Sequence, residues 1–435
     1  MKKGDFGYQI PLELIAEENR AAADGLDRSY DALREDLRRS GLLDRLGTDL
    51  DPITEQVSRF DVAVPSWGVS TGATRFARFS LPGEPTNVLD RLTDVATIHR
   101  LSGATPRISL HIPWDSTAAA HEVLDHGRRL GLGFDAINSN TFQDQPGQPL
   151  SYKFGSLSHT DAAVRAQAIA HNLACCEFGR AIGSDALTVW IGDGGCFPGQ
   201  VHFRRSLERT IESLREIYGG LPEGWRLFVE YKPFEPAFYS TVIQDWGTAY
   251  VISRDLGDRS ACLVDLGHHL PNANVEQIVA RLIALGKLGG FHFNDSKFAD
   301  DDLTAGSLRP YQLFLIFCEL VDADNDAAVD RRFFHPAYMI DQSHCVKDPI
   351  EELIQTAEEI RRAYAKALLV DREALAGFQD RNDVLMAEMT LKAAFETDVR
   401  PILRRARVLR KAAADPIAVY RKARYREEKA RERRT

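Results

Sequence analysis

The segment FHFNDSKFADDD, residues 291–302, sets one histidine and four aspartates within twelve residues. Carboxylates at that density repel one another in a poorly hydrated site unless a cation stands among them. Three further stretches carry the same donor chemistry: VEYK with Glu230 and Lys232, VDLGHH with Asp265, His268 and His269, and MIDQSH with Asp341 and His344. Carboxylate oxygen and imidazole nitrogen together suit Mn²⁺, Mg²⁺, Co²⁺ or Zn²⁺ rather than an ion that seeks thiolates. Glu230, Asp265, His292 and Asp341 make one expected ligand set. His268, three residues after Asp265, joins Asp300 and Asp302, which are one residue apart and can point the same way from an extended loop. Glu230 could bridge this second set to the first, so two divalent cations per chain are expected, with Mn²⁺ placed first. Singly, each residue has an ordinary reading. A buried Asp or His is commonly a satisfied polar group, ADDDL reads as a solvated loop or helix cap, and Glu230 with Lys232 reads as an ion pair. Four stretches in succession with the same donors are harder to explain one by one.

Elements must bring these stretches together. Short apolar runs at 60–69, 107–115, 133–142, 186–194, 226–234, 261–269, 291–296 and 337–344 read as strands buried on both faces. Helical patterns at 88–103, 119–130, 160–182, 203–218, 245–256, 274–287, 309–322 and 349–368 alternate with them, and Gly289 and Gly290 read as a stop after one such helix. Eight alternations predict an α/β fold, an eightfold (β/α) TIM barrel. A doubly wound sheet would want a glycine-rich phosphate turn after an early strand, and the sequence has none. Residues 1–59 are expected as an N-terminal helical extension, 60–370 as the barrel and 371–435 as a C-terminal helical extension. The basic tail RKARYREEKARERRT mixes Glu with Arg and Lys and reads as a solvated or frayed helix.

Barrel active sites lie at the carboxyl ends of the strands. Those ends carry Trp67; His111, Trp114 and Asp115; Asn138 and Asn140; Trp190 and Asp193; then the four stretches above. The last four strands are neighbours in a barrel, so Glu230, Asp265, His292 and Asp341 can converge. Trp67, Trp114 and Trp190 read equally well as core, rim or substrate wall, and His269 and His344 as structural. The long loop 69–85 carries Phe76 and Phe79, which either fold back on their own barrel or reach a neighbour.

Composition narrows the functional classes. The chain has 435 residues, 44% hydrophobic and 27% charged, with a formal net charge of −9, which argues against nucleic acid as a partner. No secretory leader and no apolar run of about 18 residues is visible, so a cytoplasmic protein without a membrane span is expected. Six sparse cysteines, with Cys175 and Cys176 adjacent and no CxxC pair, read as reduced thiols.

The segments VPSWGVSTGATRFARF, SLHIPWD, FDAINSNTF, TVWIGDG, VEYKPFEPAFYSTVIQDWG, VDLGHH, GFHFNDSKFADDD and MIDQSH resemble the L-rhamnose isomerases, in particular their bacterial broad-specificity branch among the xylose isomerase-like barrels. The resemblance covers roughly residues 8–430. It implies a structural cation on Glu230, Asp265, His292 and Asp341 and a catalytic one on Glu230, His268, Asp300 and Asp302. It also implies substrate contacts from Lys232, His111, Trp67, Trp190 and His268, and a homotetramer in which Phe76 reaches a neighbour's site. Tyr231, where the family pattern has histidine, and a longer stretch before His335 depart from it.

The reaction so implied interconverts L-rhamnose and L-rhamnulose, with other aldoses as further substrates. His111 would assist ring opening, Lys232 would steady charge on O1 and Asp341 would adjust a hydroxyl proton. No pair of glutamates flanks the expected pocket, which favours a metal-assisted hydride shift over a two-base proton transfer. A ketose 3-epimerase, which uses one metal and two glutamates, is the near alternative; the DxD loop and Lys232 count against it. A metal-dependent phosphodiesterase would want a basic groove. A non-catalytic sugar-binding protein would be expected to have lost a ligand, and no expected ligand is missing.

Overall fold

In a computed structural model, residues 6–70, 79–343 and 346–433 are described. The barrel strands are β1 (Ala63–Pro65), β2 (Arg107–Ile112), β3 (Gly133–Ser139), β4 (Ala186–Val189), β5 (Arg226–Glu230), β6 (Ser260–Asp265), β7 (Leu288–Phe293) and β8 (Ala337–Ile340). All neighbours pair parallel, and β1 closes on β8 to complete the barrel. Eight helices follow the strands in turn: α4 (Val88–Ser102), α5 (Ala120–Leu130), α6 (Ala162–Ile182), α7 (Phe203–Gly219), α8 (Trp246–Leu256), α9 (Val275–Ala284), α10 (Pro310–Asn325) and α11 (Pro349–Leu368). Five of the eight start at Asn or Asp caps: Asn87, Asp161, Asp245, Asn274 and Asp348 each accept a backbone N–H of the first turn.

Two hydrophobic layers hold the barrel. Ala63, Ala136, Ala186, Phe228, Leu263, Ala337 and Met339 form a separate buried cluster with contributions from six of the eight strands, the plug of the barrel interior. The opposite strand faces and the inner helix faces form one continuous core outside it. Just above the plug the interior turns polar: Asn138 Nδ2 donates to Ser109 Oγ at 2.9 Å.

The strands are shorter than the apolar runs predict. Each stops where its residues leave the ladder, so the chemistry-bearing side chains sit within one or two residues of the last paired residue. After β1 the chain makes a 3₁₀ turn over Ser66–Val69. Beyond β4, Gly194–Gly195 pairs instead with Ser240–Thr241 in a small antiparallel ribbon. Gly289 and Gly290 are not a stop; they lie inside β7. A Cβ at Gly290 would meet Ala337 O at 2.5 Å and one at Gly289 would meet Phe228 Cδ1 at 2.8 Å, so close neighbours demand glycine there. The turn after α9 is made by Gly286, with φ of 63°.

Outside the barrel, α1 (Leu12–Arg39) is a single helix, followed by α2 (Leu42–Leu46) and α3 (Leu50–Arg59). The chain ends in α12 (Arg372–Asp380), α13 (Val384–Glu396), α14 (Arg400–Leu409), α15 (Pro416–Lys422) and α16 (Tyr425–Glu432). The tail is not frayed. Arg433 pairs with the buried Asp94 of α4 at 2.8 Å, Arg426 pairs with Asp348 at 2.9 Å, and Lys429 is only 1% exposed. The carboxylates that pair with the two arginines lie more than 70 residues away in sequence, so the tail's own composition gives no sign of them. Among the described residues no helix is long and apolar enough to cross a membrane.

Candidate active site

Glu230 is the last residue of β5, Asp265 the last of β6, and His292 the penultimate residue of β7. The register sets Asp265 beside His292. Asp341 follows β8 directly, held by its N–H to Phe293 O at 3.1 Å. Side chains two residues apart share a strand face, which puts Lys232 on the same side as Glu230. One donor atom each from Glu230, Asp265, His292 and Asp341 lies within 4.8 Å of every other, and the same holds for Asp265, His268 and Asp300. His292 Nδ1 stands 3.2 Å from Glu230 Oε1, 3.5 Å from Asp341 Oδ2 and 3.8 Å from Asp265 Oδ2. His268 Nε2 is 3.3 Å from Asp300 Oδ1, and its Nδ1 is 3.3 Å from Glu230 Oε1. Glu230 thus touches both imidazoles, while Asp265 is the carboxylate common to the two converging sets. Asp302 faces the same cavity but falls outside the second set.

Neighbouring groups fix these side chains. Asn294 Nδ2 donates to both oxygens of Asp265, at 2.9 and 3.1 Å, and Gly267 N–H adds a third bond at 2.8 Å. Tyr231 O lies 3.0 Å from His268 Nδ1, which keeps Nε2 turned toward the carboxylates. Trp67 Nε1 donates to Asp341 Oδ1 at 2.7 Å. Lys232 Nζ donates to Asp300 Oδ2 at 2.6 Å and lies 5.2 Å from the Trp190 ring centroid.

The electrostatics ask for positive charge. Burial opposes charge on His292, but Glu230, Asp341 and Asp265 outweigh it and push its pKa to about 10. For His268, Asp265, Asp300 and Glu230 likewise outweigh burial, to about 9. Burial, helped by Asp265 and Glu230 and opposed by His292, carries Asp341 up to about 7. Burial and the charge of Asp300 raise Asp302 well above the usual carboxylate range. Asp300 itself is held low, since His268 and Lys232 overcome its burial. His292 turns Nδ1 to these carboxylates, and its Nε2 is buried without a protein partner. Divalent cations satisfy the same carboxylates with neutral imidazoles, and the donor set of oxygen and nitrogen fits them.

Facing the carboxylates is an aromatic wall. His111 stacks on Trp114 with centroids 4.0 Å apart and meets Trp67 edge-on at 5.3 Å; Phe142 meets Trp190 at 4.7 Å. Together the two walls enclose about 310 Å³, at the small end of small-molecule sites. His111 Nδ1, Trp190 Nε1 and Thr188 Oγ1 are buried on this side without a protein partner. Burial, reinforced by His171 and His292, holds His111 at about 3, so its ring is neutral. A larger cavity of about 500 Å³ lies between α9 and α10, away from all of these groups.

Several strand-end residues serve the scaffold instead. Asp115 accepts from Arg91 at 2.6 Å, Asp193 from Ser156 and Ser158 amides at 2.7 and 2.8 Å, and Asp295 from the Leu308 and Arg309 amides at 2.8 and 2.9 Å. His269 Nε2 is bonded to Tyr231 Oη at 2.8 Å, so the residue that departs from the family pattern is paired behind the site. Phe76 and His344 lie outside the described residues. Phe142, Thr188 and Ser343 line the cavity without having been singled out. Thr188, two residues before Trp190 on the same strand face, was legible from alternation; Phe142 and Ser343 lie past strand ends and gave no signal.

No protein-family model matches the chain. It is 57% identical over 424 residues, 98% of its length, to a protein of Rhizobium meliloti (strain 1021) described as a probable sugar isomerase, covering 96% of that protein. A protein of Mesorhizobium japonicum (strain LMG 29417 / CECT 9101 / MAFF 303099) with the same description matches at the same identity and coverage. Among solved structures, an L-ribulose 3-epimerase aligns with a TM-score of 0.52 and 12% identity, over 75% of this chain and 98% of that one, a likeness of fold. At 57% identity over nearly its whole length, the chain belongs to the family of these sugar isomerases.

Proposed function

We propose that the protein is a divalent-cation-dependent aldose–ketose isomerase of the L-rhamnose isomerase type, interconverting L-rhamnose and L-rhamnulose and accepting other aldoses. The observation that carries this reading is the cavity itself: clustered carboxylates and two imidazoles on one wall, aromatic rings with unpartnered donors on the other, and Lys232 between them. Glu230, Asp265, His292 and Asp341 would hold one cation, and Glu230, His268, Asp300 and Asp302 a second, Mn²⁺ ahead of Co²⁺, Zn²⁺ or Mg²⁺. Bound there, such ions supply Lewis acidity toward the sugar's oxygens.

The chain's own groups then have defined tasks. Neutral His111 can take a proton at Nδ1 or give one from Nε2, which suits ring opening. Lys232 presents an ammonium to charge developing on O1, and the indoles of Trp67 and Trp190 exclude water around it. Asp341, anchored by Trp67, is placed to adjust a hydroxyl proton. Every carboxylate lining the cavity belongs to the proposed ligand sets, which leaves no carboxylate free to act as a base at C2. With His111 assigned to ring opening, hydrogen passes directly from C2 to C1. A ketose 3-epimerase is the rival, and it asks for two glutamates; among the described residues lining the cavity, Glu230 is the sole glutamate. The test is chelation followed by reloading with Mn²⁺, Co²⁺, Mg²⁺ or Zn²⁺ against a panel of aldoses and ketoses. Activity should vanish and return, with L-rhamnose among the best substrates; full activity in cation-free protein would refute the proposal.

A further inference from the structure

Asp302 stands in the left-handed backbone region, with φ of 47°. A non-glycine residue persists there only where its surroundings over-determine it. One residue further, Leu303 exchanges both backbone hydrogen bonds with Asp295, at 2.8 and 2.9 Å. Next comes Thr304, 1% exposed, whose Oγ1 donates to Glu352 Oε1 at 2.7 Å and accepts from Lys347 Nζ at 2.6 Å. Glu352 is in the first turn of α11, whose cap is Asp348. Asp348 is gripped in turn by Arg426 of the C-terminal helix, Nε–Oδ2 at 2.9 Å and Nη2–Oδ1 at 3.1 Å, while its Oδ1 also caps Ile350 N–H at 2.9 Å. An unbroken series of polar contacts therefore runs from the tail, through the start of α11, to the loop that carries Asp300 and Asp302.

We infer that Thr304 and Arg426 are positioning residues for this acidic loop: Thr304 pins it directly to α11, and Arg426, from a tail whose sequence looks like solvated helix, holds the start of α11 in place. Neither touches the cavity. The binding arm of the test rests on the two-cation reading above; the exchange arm does not.

Thr304→Val keeps the shape and removes both hydrogen bonds, and Lys347 remains 3.7 Å from Glu352, so no buried carboxylate is left without a countercharge. Arg426→Met breaks the remote end, while Thr304→Ser and Arg426→Lys retain the donors and should restore most of the effect. In metal-free protein, hydrogen exchange of the 296–303 amides should quicken about tenfold in Thr304→Val and less in Arg426→Met, with the strand amides of β1–β4 unchanged. Calorimetric titration with Mn²⁺ should show the first binding step intact and the second weakened about 10–100-fold. Unchanged loop exchange in both variants, or acceleration spread evenly over the strands, would overturn the inference. So would equal weakening of both binding steps. If the wild-type protein binds no Mn²⁺, the functional reading fails and the exchange result alone decides. Should Thr304→Val fail to fold, Arg426→Met carries both measurements.

Discussion

Lys232 is held between Asp300, 2.6 Å away, and the ring of Trp190, and it is 6% exposed. Burial works against its charge, but Asp300 more than compensates and raises its pKa, so it stays an ammonium at working pH. Replacing it with Met should lower kcat about 10²–10³-fold with a modest change in KM, if it steadies charge that develops in the transition state. Near-normal turnover in steady-state assays would reduce Lys232 to the partner of Asp300. Trp67→Phe keeps the aromatic surface but removes the bond to Asp341, and should weaken cation binding about 10–100-fold by titration. Unaltered affinity would leave Trp67 a wall only. At this scale the donors were legible because each is the right type at the end of an apolar run. Alternation also separated Asp300 and Asp302, which line the cavity, from Asp301, which turns back to accept the Lys297 and Phe298 amides at 2.6 and 2.8 Å. That Asp302 falls outside the second donor set was not legible, because the fold of the loop decides it.

α4 carries His99, whose ring Nδ1 accepts the Thr105 N–H at 3.2 Å. Burial, with Arg410 and Arg361 nearby, lowers its pKa to about 4. The unfolded chain takes up a proton near pH 6.5 that the native ring refuses until about pH 4. The unfolded state therefore binds more protons in that window, and stability falls as pH drops through it, by up to about 1.4 kcal/mol per pH unit from this group. Denaturant midpoints between pH 7 and pH 4.5 should fall less steeply in His99→Gln than in the parent; equal slopes would assign the acid sensitivity elsewhere. Elements themselves were largely legible, since α4, α6, α7 and α11 begin and end within two residues of their periodic patterns. Gly289 and Gly290 were misread because a glycine demanded by a crowded barrel strand and one that ends a helix look alike in sequence. The tail was misread because Asp94 and Asp348, which bury its arginines, belong to other helices.

At the scale of the whole molecule, closure of the barrel follows from eight repeats of one pattern, but association with other copies has no such period. Val384, Leu385, Met386 and Met389 of α13 are all exposed, and Ala394 is the one residue of that helix counted as buried. Leu391 and Phe395 of the same helix pack inward, so one apolar face of α13 is left in water, and the homotetramer that the resemblance implies would give that face a partner. Light scattering should report four chains, and Leu385→Glu with Met389→Glu should shift the mass downward; a fully active monomer would rule the tetramer out. The central claim is hydrogen transfer between C1 and C2 of a sugar under divalent-cation control. Its most direct test is NMR of the product formed from C2-deuterated L-rhamnose by protein reloaded with Mn²⁺. Direct transfer gives L-rhamnulose with deuterium at C1, and none forms in the chelated control. No ketose from the loaded protein, or deuterium washed out to water in the earliest product, would contradict it.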